Sequence, residues 1–192
     1  MIELVDVNIN EFKKLIYPEY KKLFPRLERK TYSILKKIFS EDILKIYKIE
    51  ENDDFIGFMM TNSLKSSKYI QLDYFAILPQ YQNKGYGTKA LKLLKDKFKV
   101  YNGIFIEIEK LGLGKNDHEN ILRKKRKKFY EKIGFCKLNF ELDLYKVIYT
   151  PYVLYTSSIK EDDNEILEDI FNIYNKILGD KRVNKNCKIL YN

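Results

Sequence analysis

A glycine-containing turn is the part of this sequence whose residue types and spacing most clearly suggest chemistry. It carries the pattern Gln82-x-x-Gly85-x-Gly87 between a strand-like segment and a helix-like segment. A helix that begins at such a turn presents free backbone N–H groups and the positive end of its dipole, which together bind phosphate groups. Lys84 and Lys89 add positive charge nearby. The pattern is neither a P-loop nor a Gly-x-Gly-x-x-Gly turn, and an ordinary strand-to-helix turn is the alternative interpretation.

Carboxylates form a second group of candidates. Glu107 and Glu109 alternate with isoleucines, which places both on one face of a strand. A carboxylate there could accept the proton of an amine through a water molecule, or it could mark a solvated strand end. Glu28 lies in a short charged corner of the chain, where it could contact an acceptor amine or pair with Arg26 or Lys30.

Histidine and cysteine chemistry receives little support. His118 is the single histidine and lies in a polar segment, so we interpret it as a surface residue. Cys136 follows Gly-Phe at a strand start, and we interpret it as a small core residue because nothing pairs it with a histidine. With two cysteines and one histidine in the chain, no Cys–His zinc site is expected.

A second motif gives the turn a context. Residues 129–135 read Phe-Tyr-Glu-Lys-Ile-Gly-Phe, at the end of a helical pattern and the start of a strand. Together, the two segments resemble the GNAT superfamily of acetyl-CoA-dependent N-acetyltransferases. The turn looks like the family's pyrophosphate motif and residues 129–135 look like its late signature. The resemblance covers residues 1–156, and the corner at residues 24–29 resembles the acidic corner of bacterial members.

The resemblance implies a role for each motif. The strand before the turn would pair with the pantetheine arm of CoA through Phe75, Ala76 and Ile77. Tyr130 would protonate the departing CoA thiolate. The pyrophosphate would be held by the backbone N–H groups of the turn, at Gln82, Asn83, Lys84, Gly85, Tyr86, Gly87 and Thr88.

The helix before Tyr130 departs from the family pattern. Many members carry an asparagine seven residues before that tyrosine, whereas this chain has Arg123 there and Asn120 earlier. Residues 123–128 are all basic. This run is either a solvated helix face or a source of phosphate contacts to CoA, from Arg126 or Arg123.

Hydrophobic periodicity predicts the elements that must position these residues. Two helices are expected over residues 10–39, with Asn10 as N-cap, a kink at Pro18 and an end at Pro25. Residues 51–54 are expected to form a hairpin turn, and Gly134 is expected to cap a helix. Further helices are expected around residues 90–98, 121–133 and 166–177. Strands are expected at residues 2–7, 43–50, 55–62, 69–78, 104–109, 135–144 and 146–156.

Fold class and domain organisation follow from this order. We predict an α/β protein with the GNAT-like central mixed sheet, mostly antiparallel and splayed, flanked by helices, with an added C-terminal helix. Residues 1–178 would form one acetyltransferase domain, including that helix, and residues 179–192 a basic tail. Without a signal-like N-terminus or an apolar run of membrane-spanning length, we expect a cytoplasmic protein that does not enter a membrane.

The predicted function is acetyl-CoA-dependent transfer of acetyl to a primary amine by direct attack, with Tyr130, Glu107 and Glu28 as candidate catalytic residues and no metal. The acceptor is a small-molecule or peptide amine, and the protein is a monomer or homodimer. Two alternatives stay open. One is an inactive acyl-CoA-binding regulatory module; the other, less favoured, is nucleic-acid binding, suggested by the formal charge of +9.

Overall fold

The structure is a computed structural model that describes residues 1–157 and 162–191. It is a mixed α/β fold with a mostly antiparallel sheet and flanking helices, as predicted. The strands are β1 Ile2–Asp6, β2 Leu44–Glu51, β3 Asp54–Asn62, β4 Tyr69–Ile77, β5 Gly103–Glu109, β6 Cys136–Lys137, β7 Phe140–Leu144, β8 Val147–Tyr155 and β9 Cys187–Tyr191. The α-helices are α1 Ile9–Glu11, α2 Tyr17–Leu23, α3 Tyr32–Ser40, α4 Tyr86–Lys97, α5 Asp117–Ile133, α6 Asp163–Leu178 and α7 Asp180–Asn186.

The residues form two compact units. The first comprises Met1–Lys65 and Leu72–Lys97, and the second comprises Ser66–Gln71 and Phe98–Asn192. Strand β4 therefore contributes residues to both. Whether residues 1–178 act as one domain stays a prediction.

In the first unit the strands follow the order β1-β2-β3-β4, and β1/β2 and β2/β3 are antiparallel. The hairpin turn expected at residues 51–54 is confirmed, with Asn52 at φ 52° and Asp53 at φ 67°. Apart from glycine, asparagine and aspartate are among the residues that tolerate this left-handed region best. The core of this unit includes Phe12, Ile16, Tyr20, Leu35 and Phe58, all of them fully buried.

The first helical segment differs in detail from its prediction. Its N-cap is Asn8 rather than Asn10, because the Asn8 side chain accepts hydrogen bonds from the backbone N–H groups of Asn10 and Glu11. A π-helical turn, Phe12–Ile16, precedes Pro18. Proline has no N–H group to donate to the preceding turn, and the changed hydrogen-bond pattern of the π-helical turn accommodates this missing bond. The helix ends at Leu23, before Pro25, as expected.

In the second unit β4 pairs with β5 in parallel over Tyr69–Gln71 and Gly103–Phe105. The order continues β5-β8-β7-β9, and β6 pairs with β8 at the side. Gly134 caps α5 at φ 109°, as predicted. The strand expected over residues 135–144 is interrupted after β6, where the backbone N–H of Leu138 donates to the Pro151 carbonyl at 3.1 Å.

The C-terminal region holds more structure than the sequence indicated. Helix α6 matches the predicted C-terminal helix, and its Ile166, Ile170 and Ile173 are fully buried. The segment expected to be a basic tail carries α7 and then β9, which pairs antiparallel with β7. Strand β9 is short, and its partner lies more than forty residues earlier, so local periodicity did not reveal it. No helix in the described parts of the chain combines the length and apolarity needed to cross a membrane.

Candidate active-site residues

The turn between β4 and α4 has the backbone that the sequence motif requires. Asn83 at φ 61° and Gly85 at φ 81° reverse the chain after a short 3-10 turn, Pro79–Tyr81. The Gln82 side-chain amide donates a 2.9 Å hydrogen bond to the Ile77 carbonyl, which closes the turn onto the end of β4. Residues 82–85 are exposed. The motif glutamine therefore shapes the turn and leaves its backbone open to a ligand.

Charged and aromatic side chains surround this turn. The Lys84 ammonium lies 5.7 Å from the centre of the Tyr81 ring, and the Lys89 ammonium 5.5 Å from that of Tyr86. The Tyr86 hydroxyl donates a 2.6 Å hydrogen bond to Glu51, and this bond raises the pKa of Tyr86. The start of α4 is thus anchored to the β2–β3 hairpin, with two lysines beside the turn.

A glycine that the sequence analysis did not select shapes the end of β4. A Cβ atom on Gly57 of β3 would lie 2.2 Å from the Ala76 carbonyl oxygen, so only glycine fits there. Just after the end of β4, the Leu78 N–H donates a 2.9 Å hydrogen bond to the carbonyl of Ile56, which precedes Gly57 on β3. The half-buried segment Phe75–Ile77, predicted to face pantetheine, is held against β3 at this point. The available signal was a glycine inside an apolar strand.

The corner that contains Glu28 is docked on β4. The Glu28 side chain is exposed, and its backbone carbonyl accepts a 2.7 Å hydrogen bond from the Tyr74 hydroxyl. Lys30 binds both carboxylate oxygens of Asp73, at 2.7 and 2.9 Å, and Asn62 donates to the same group at 3.0 Å. The sequence analysis did not select Asp73 either. The available signal was a single carboxylate within an otherwise apolar strand.

In the second unit, two buried side chains donate hydrogen bonds to Glu107. The Tyr174 hydroxyl donates to one carboxylate oxygen, and the Gln71 amide donates to the other at 2.9 Å. Glu109, two residues further along β5, is 7% exposed and pairs with Arg126 of α5 at 2.8 Å. Both predicted carboxylates of β5 therefore have partners within the second unit. Glu107 accepts a hydrogen bond from a residue of α6, and Glu109 pairs with a residue of α5.

Tyr130 lies near the end of α5, half-buried between aromatic rings. Its ring centroid is 5.1 Å from that of Phe129 and 5.2 Å from that of Phe135. Burial raises the pKa of Tyr130 to about 12; the positive charge of Arg126 opposes this effect and Glu109 adds to it. The phenol therefore stays protonated at neutral pH, as a proton donor must.

Other polar candidates on or near α5 have different surroundings. Arg123 is 7% exposed and donates to the Lys110 carbonyl at 2.8 Å and to Glu119 at 2.7 Å. Its guanidinium thus ties α5 to the segment after β5.

His118 is exposed, as expected. Cys136 is exposed, which corrects its interpretation as a core residue: β6 is a short strand that leaves its side chains in solvent. Among the described residues, no group of three or more His, Cys, Asp or Glu side chains could hold a metal ion.

The predicted residues fall into two sets, one in each compact unit. The first unit holds the turn, the end of β4 and Glu28, and the second holds Glu107, Tyr130 and Arg126. The first set offers backbone N–H groups and cations for phosphate groups. The second offers a carboxylate and a protonated phenol, groups that serve as base and acid.

Solved structures share this fold at low sequence identity. A protein from Bacteroides thetaiotaomicron, described as of the GNAT family, aligns with a TM-score of 0.68 at 19% identity, over 93% of this chain and 98% of its own. The ribosomal-protein-S18-alanine N-acetyltransferase from Escherichia coli aligns with a TM-score of 0.58 at 17% identity, over 84% and 97%. A GNAT family acetyltransferase from Elizabethkingia anophelis with acetyl-CoA bound aligns with a TM-score of 0.57 at 15% identity, over 80% and 97%.

Sequence comparison gives the family. No curated protein matches the chain. The sequence model of the Acetyltransferase (GNAT) family matches residues 9–135, about two thirds of the chain, including the turn and the late signature. The chain therefore belongs to the GNAT family of acetyltransferases.

Proposed function

We propose that this protein is an acetyl-CoA-dependent N-acetyltransferase that transfers acetyl directly to a primary amine. The observation that carries this proposal is the turn between β4 and α4. Its left-handed Asn83 and Gly85 present exposed backbone at the start of a twelve-residue helix, with Lys84 and Lys89 beside it. Free N–H groups, a helix dipole and cations together suit a pyrophosphate.

The residues present fit acetyl-CoA. The backbone of residues 82–88 would hold the pyrophosphate, and the backbone of Phe75–Ile77 would pair with the pantetheine arm. Arg126 would contact a CoA phosphate, since its side chain is 49% exposed and its Glu109 pair occupies one of five donors. When bound, acetyl-CoA supplies the activated acetyl thioester. The solved structure from Elizabethkingia anophelis, similar in fold, holds acetyl-CoA.

The chain's own side chains account for the proton movements. At neutral pH a primary amine arrives as an ammonium ion, so a carboxylate both attracts it and accepts its proton, directly or through water. We assign this role to Glu107, with Glu28 as the second candidate. Tyr130 holds a proton at its hydroxyl for the leaving sulfur. The amine attacks directly, so no covalent enzyme intermediate is required.

A turnover assay tests the proposal. The full chain is mixed with acetyl-CoA and, one at a time, spermidine, L-lysine, an aminoglycoside and a peptide with a free N-terminus. We expect thiol release that depends on one of these amines, together with a product whose mass has risen by one acetyl group. Calorimetric binding of CoA without turnover of any amine would favour a regulatory acyl-CoA-binding module and contradict the proposal.

A further inference from the structure

We propose that Tyr174, on the C-terminal helix α6, is a positioning residue that fixes the Glu107 carboxylate to receive the acceptor's ammonium group. This inference rests on the proposed function. Tyr174 lies outside residues 9–135, where the family's sequence model matches. The part of the chain beyond that match would then contribute to acceptor recognition.

The hydrogen bonds at Glu107 fix its orientation. Tyr174 donates to Oε1 and Gln71 donates to Oε2 at 2.9 Å, so both carboxylate oxygens are held by different elements. Both donors are buried, since Tyr174 is 5% exposed and Gln71 is 2% exposed. Buried side chains have few alternative rotamers, so these donors hold the carboxylate plane in one orientation.

Helix α6 is itself fixed to the strand that carries Gln71. The Asp169 carboxylate on α6 accepts hydrogen bonds from the backbone N–H groups of Lys68 and Tyr69, at 2.7 and 2.8 Å. Gln71 follows Tyr69 by two residues on β4, and Tyr174 follows Asp169 by about one and a half turns on α6. The two donors of Glu107 are therefore parts of one hydrogen-bonded frame, not independent surface groups.

This arrangement suits Glu107 to bind a cationic amine as well as to accept its proton. An ammonium ion would join Tyr174 and Gln71 as a further donor to this carboxylate. Half-buried Glu107 would hold a cationic amine strongly because nearby charges are screened less there than in bulk water. The geometry therefore points to acceptors that are cationic at the reacting end.

A double-mutant cycle tests whether Tyr174 acts through Glu107. The full chain and its variants Tyr174→Phe, Glu107→Gln and the double variant are assayed with acetyl-CoA and the best amine of the four-compound panel. We expect Tyr174→Phe to lower acceptor kcat/KM by ~10-fold, the effect of losing one hydrogen bond to a charged group. The loss should fall mainly on acceptor KM, with acetyl-CoA KM unchanged. In the Glu107→Gln background the same change should have almost no further effect.

Tyr152→Phe is the matched control, since it removes a hydroxyl from another buried tyrosine of the second unit. It should leave acceptor kcat/KM unchanged. If Tyr174→Phe does not fold, Gln71→Met removes the opposite donor and should show the same dependence on Glu107. Losses that multiply in the double variant, or full activity of Tyr174→Phe, would overturn the positioning role while leaving the acetyltransferase assignment standing. A wild-type chain that binds CoA but turns over no panel amine would overturn both.

Discussion

The guanidinium of Arg126 lies 2.8 Å from a carboxylate oxygen of Glu109, a pair that joins an exposed basic helix to a nearly buried acid. The Arg126 side chain is 49% exposed and that of Glu109 is 9% exposed. Replacing Arg126 would therefore leave the nearly buried Glu109 carboxylate without its charge partner. The main free-energy cost would come from that unpaired, poorly solvated carboxylate.

Arg126→Gln should destabilise the protein for this reason. We expect a loss of about 1–2 kcal/mol, less than for a fully buried pair because half of Arg126 is in solvent. For a chain of this size that loss lowers the melting temperature by roughly 2–8 °C. Lys127→Gln is the control on the same helix, since Lys127 forms a 3.5 Å surface pair with Glu131. It should cost less than about 0.5 kcal/mol, and equal losses for the two variants would contradict the argument.

The same variant examines the proposed phosphate contact. If Arg126 contacts the 3′-phosphate of CoA, Arg126→Gln should weaken CoA more than 3′-dephospho-CoA in calorimetry. Lys127→Gln should weaken neither. Equal weakening of both ligands by Arg126→Gln would exclude a contact between Arg126 and the 3′-phosphate.

The next prediction concerns Gly87. Gly87→Val should abolish most CoA binding, at least ~100-fold in Kd, because a branched side chain at the start of α4 would occupy the space proposed for the pyrophosphate. Stability should change little, since valine is no worse than glycine inside a helix. Lys92→Val, at an exposed position further along α4, controls for the new side chain and should bind CoA normally. Unchanged CoA affinity in folded Gly87→Val would remove the turn from the binding site.

The turn between β4 and α4 could be predicted from the sequence, whereas the hydrogen bonds of Glu107 could not. The turn was predictable because its parts are adjacent in the chain: Gln82 bonds a carbonyl five residues away. The partners of Glu107 lie 36 and 67 residues away in sequence, so no local pattern connects them. The same holds for β9, whose residues pair with a strand that precedes α6.

Errors of detail had a similar physical origin. Asn8 and Asn10 are both able to cap a helix, and the choice of Asn8 depends on where the chain leaves β1. Cys136 resembles a core residue by type, but β6 pairs over only two residues and remains exposed. The exact N-cap of the first helix and the exposure of Cys136 therefore depended on tertiary pairing that the local pattern does not record.

A further prediction concerns the acceptor carboxylate. Glu107→Gln should lower acceptor kcat/KM by ~10–100-fold and leave CoA affinity unchanged, because the amide keeps the shape and loses the charge that attracts an ammonium ion. Glu28→Gln should have a smaller effect, since the Glu28 side chain is exposed and solvent screens its charge. Glu165→Gln, at an exposed carboxylate on α6, is the control. Full activity in both Glu107→Gln and Glu28→Gln would show that the acceptor is not bound by either carboxylate.

The final prediction assigns the proton for the leaving thiolate to Tyr130. Tyr130→Phe keeps the ring that packs between Phe129 and Phe135 and deletes only the hydroxyl. As an acid, that hydroxyl should account for roughly 10²–10⁴-fold in rate. A packing role would leave the rate nearly unchanged and alter stability by about 1 kcal/mol at most. Tyr152→Phe again serves as the control and should retain the wild-type rate.

The pH dependence separates these roles further. Burial raises the pKa of Tyr130 to about 12, so only ~1% of the phenol is ionised at pH 10, where a tyrosine of ordinary pKa is half ionised. Since the protonated form is the active one, kcat should show no loss from Tyr130 ionisation between pH 7 and pH 10. A phenol with this pKa is a weaker acid than a thiol, whose pKa is near 8.5. Full proton transfer to a free thiolate is therefore uphill by about 3.5 pKa units, so Tyr130 would act by hydrogen bonding to the charge that develops on sulfur while the carbon–sulfur bond breaks. Pre-steady-state measurement of the chemical step isolates this event from product release, and a Tyr130→Phe variant with wild-type acetyl-CoA affinity and a wild-type chemical step would refute the acid role.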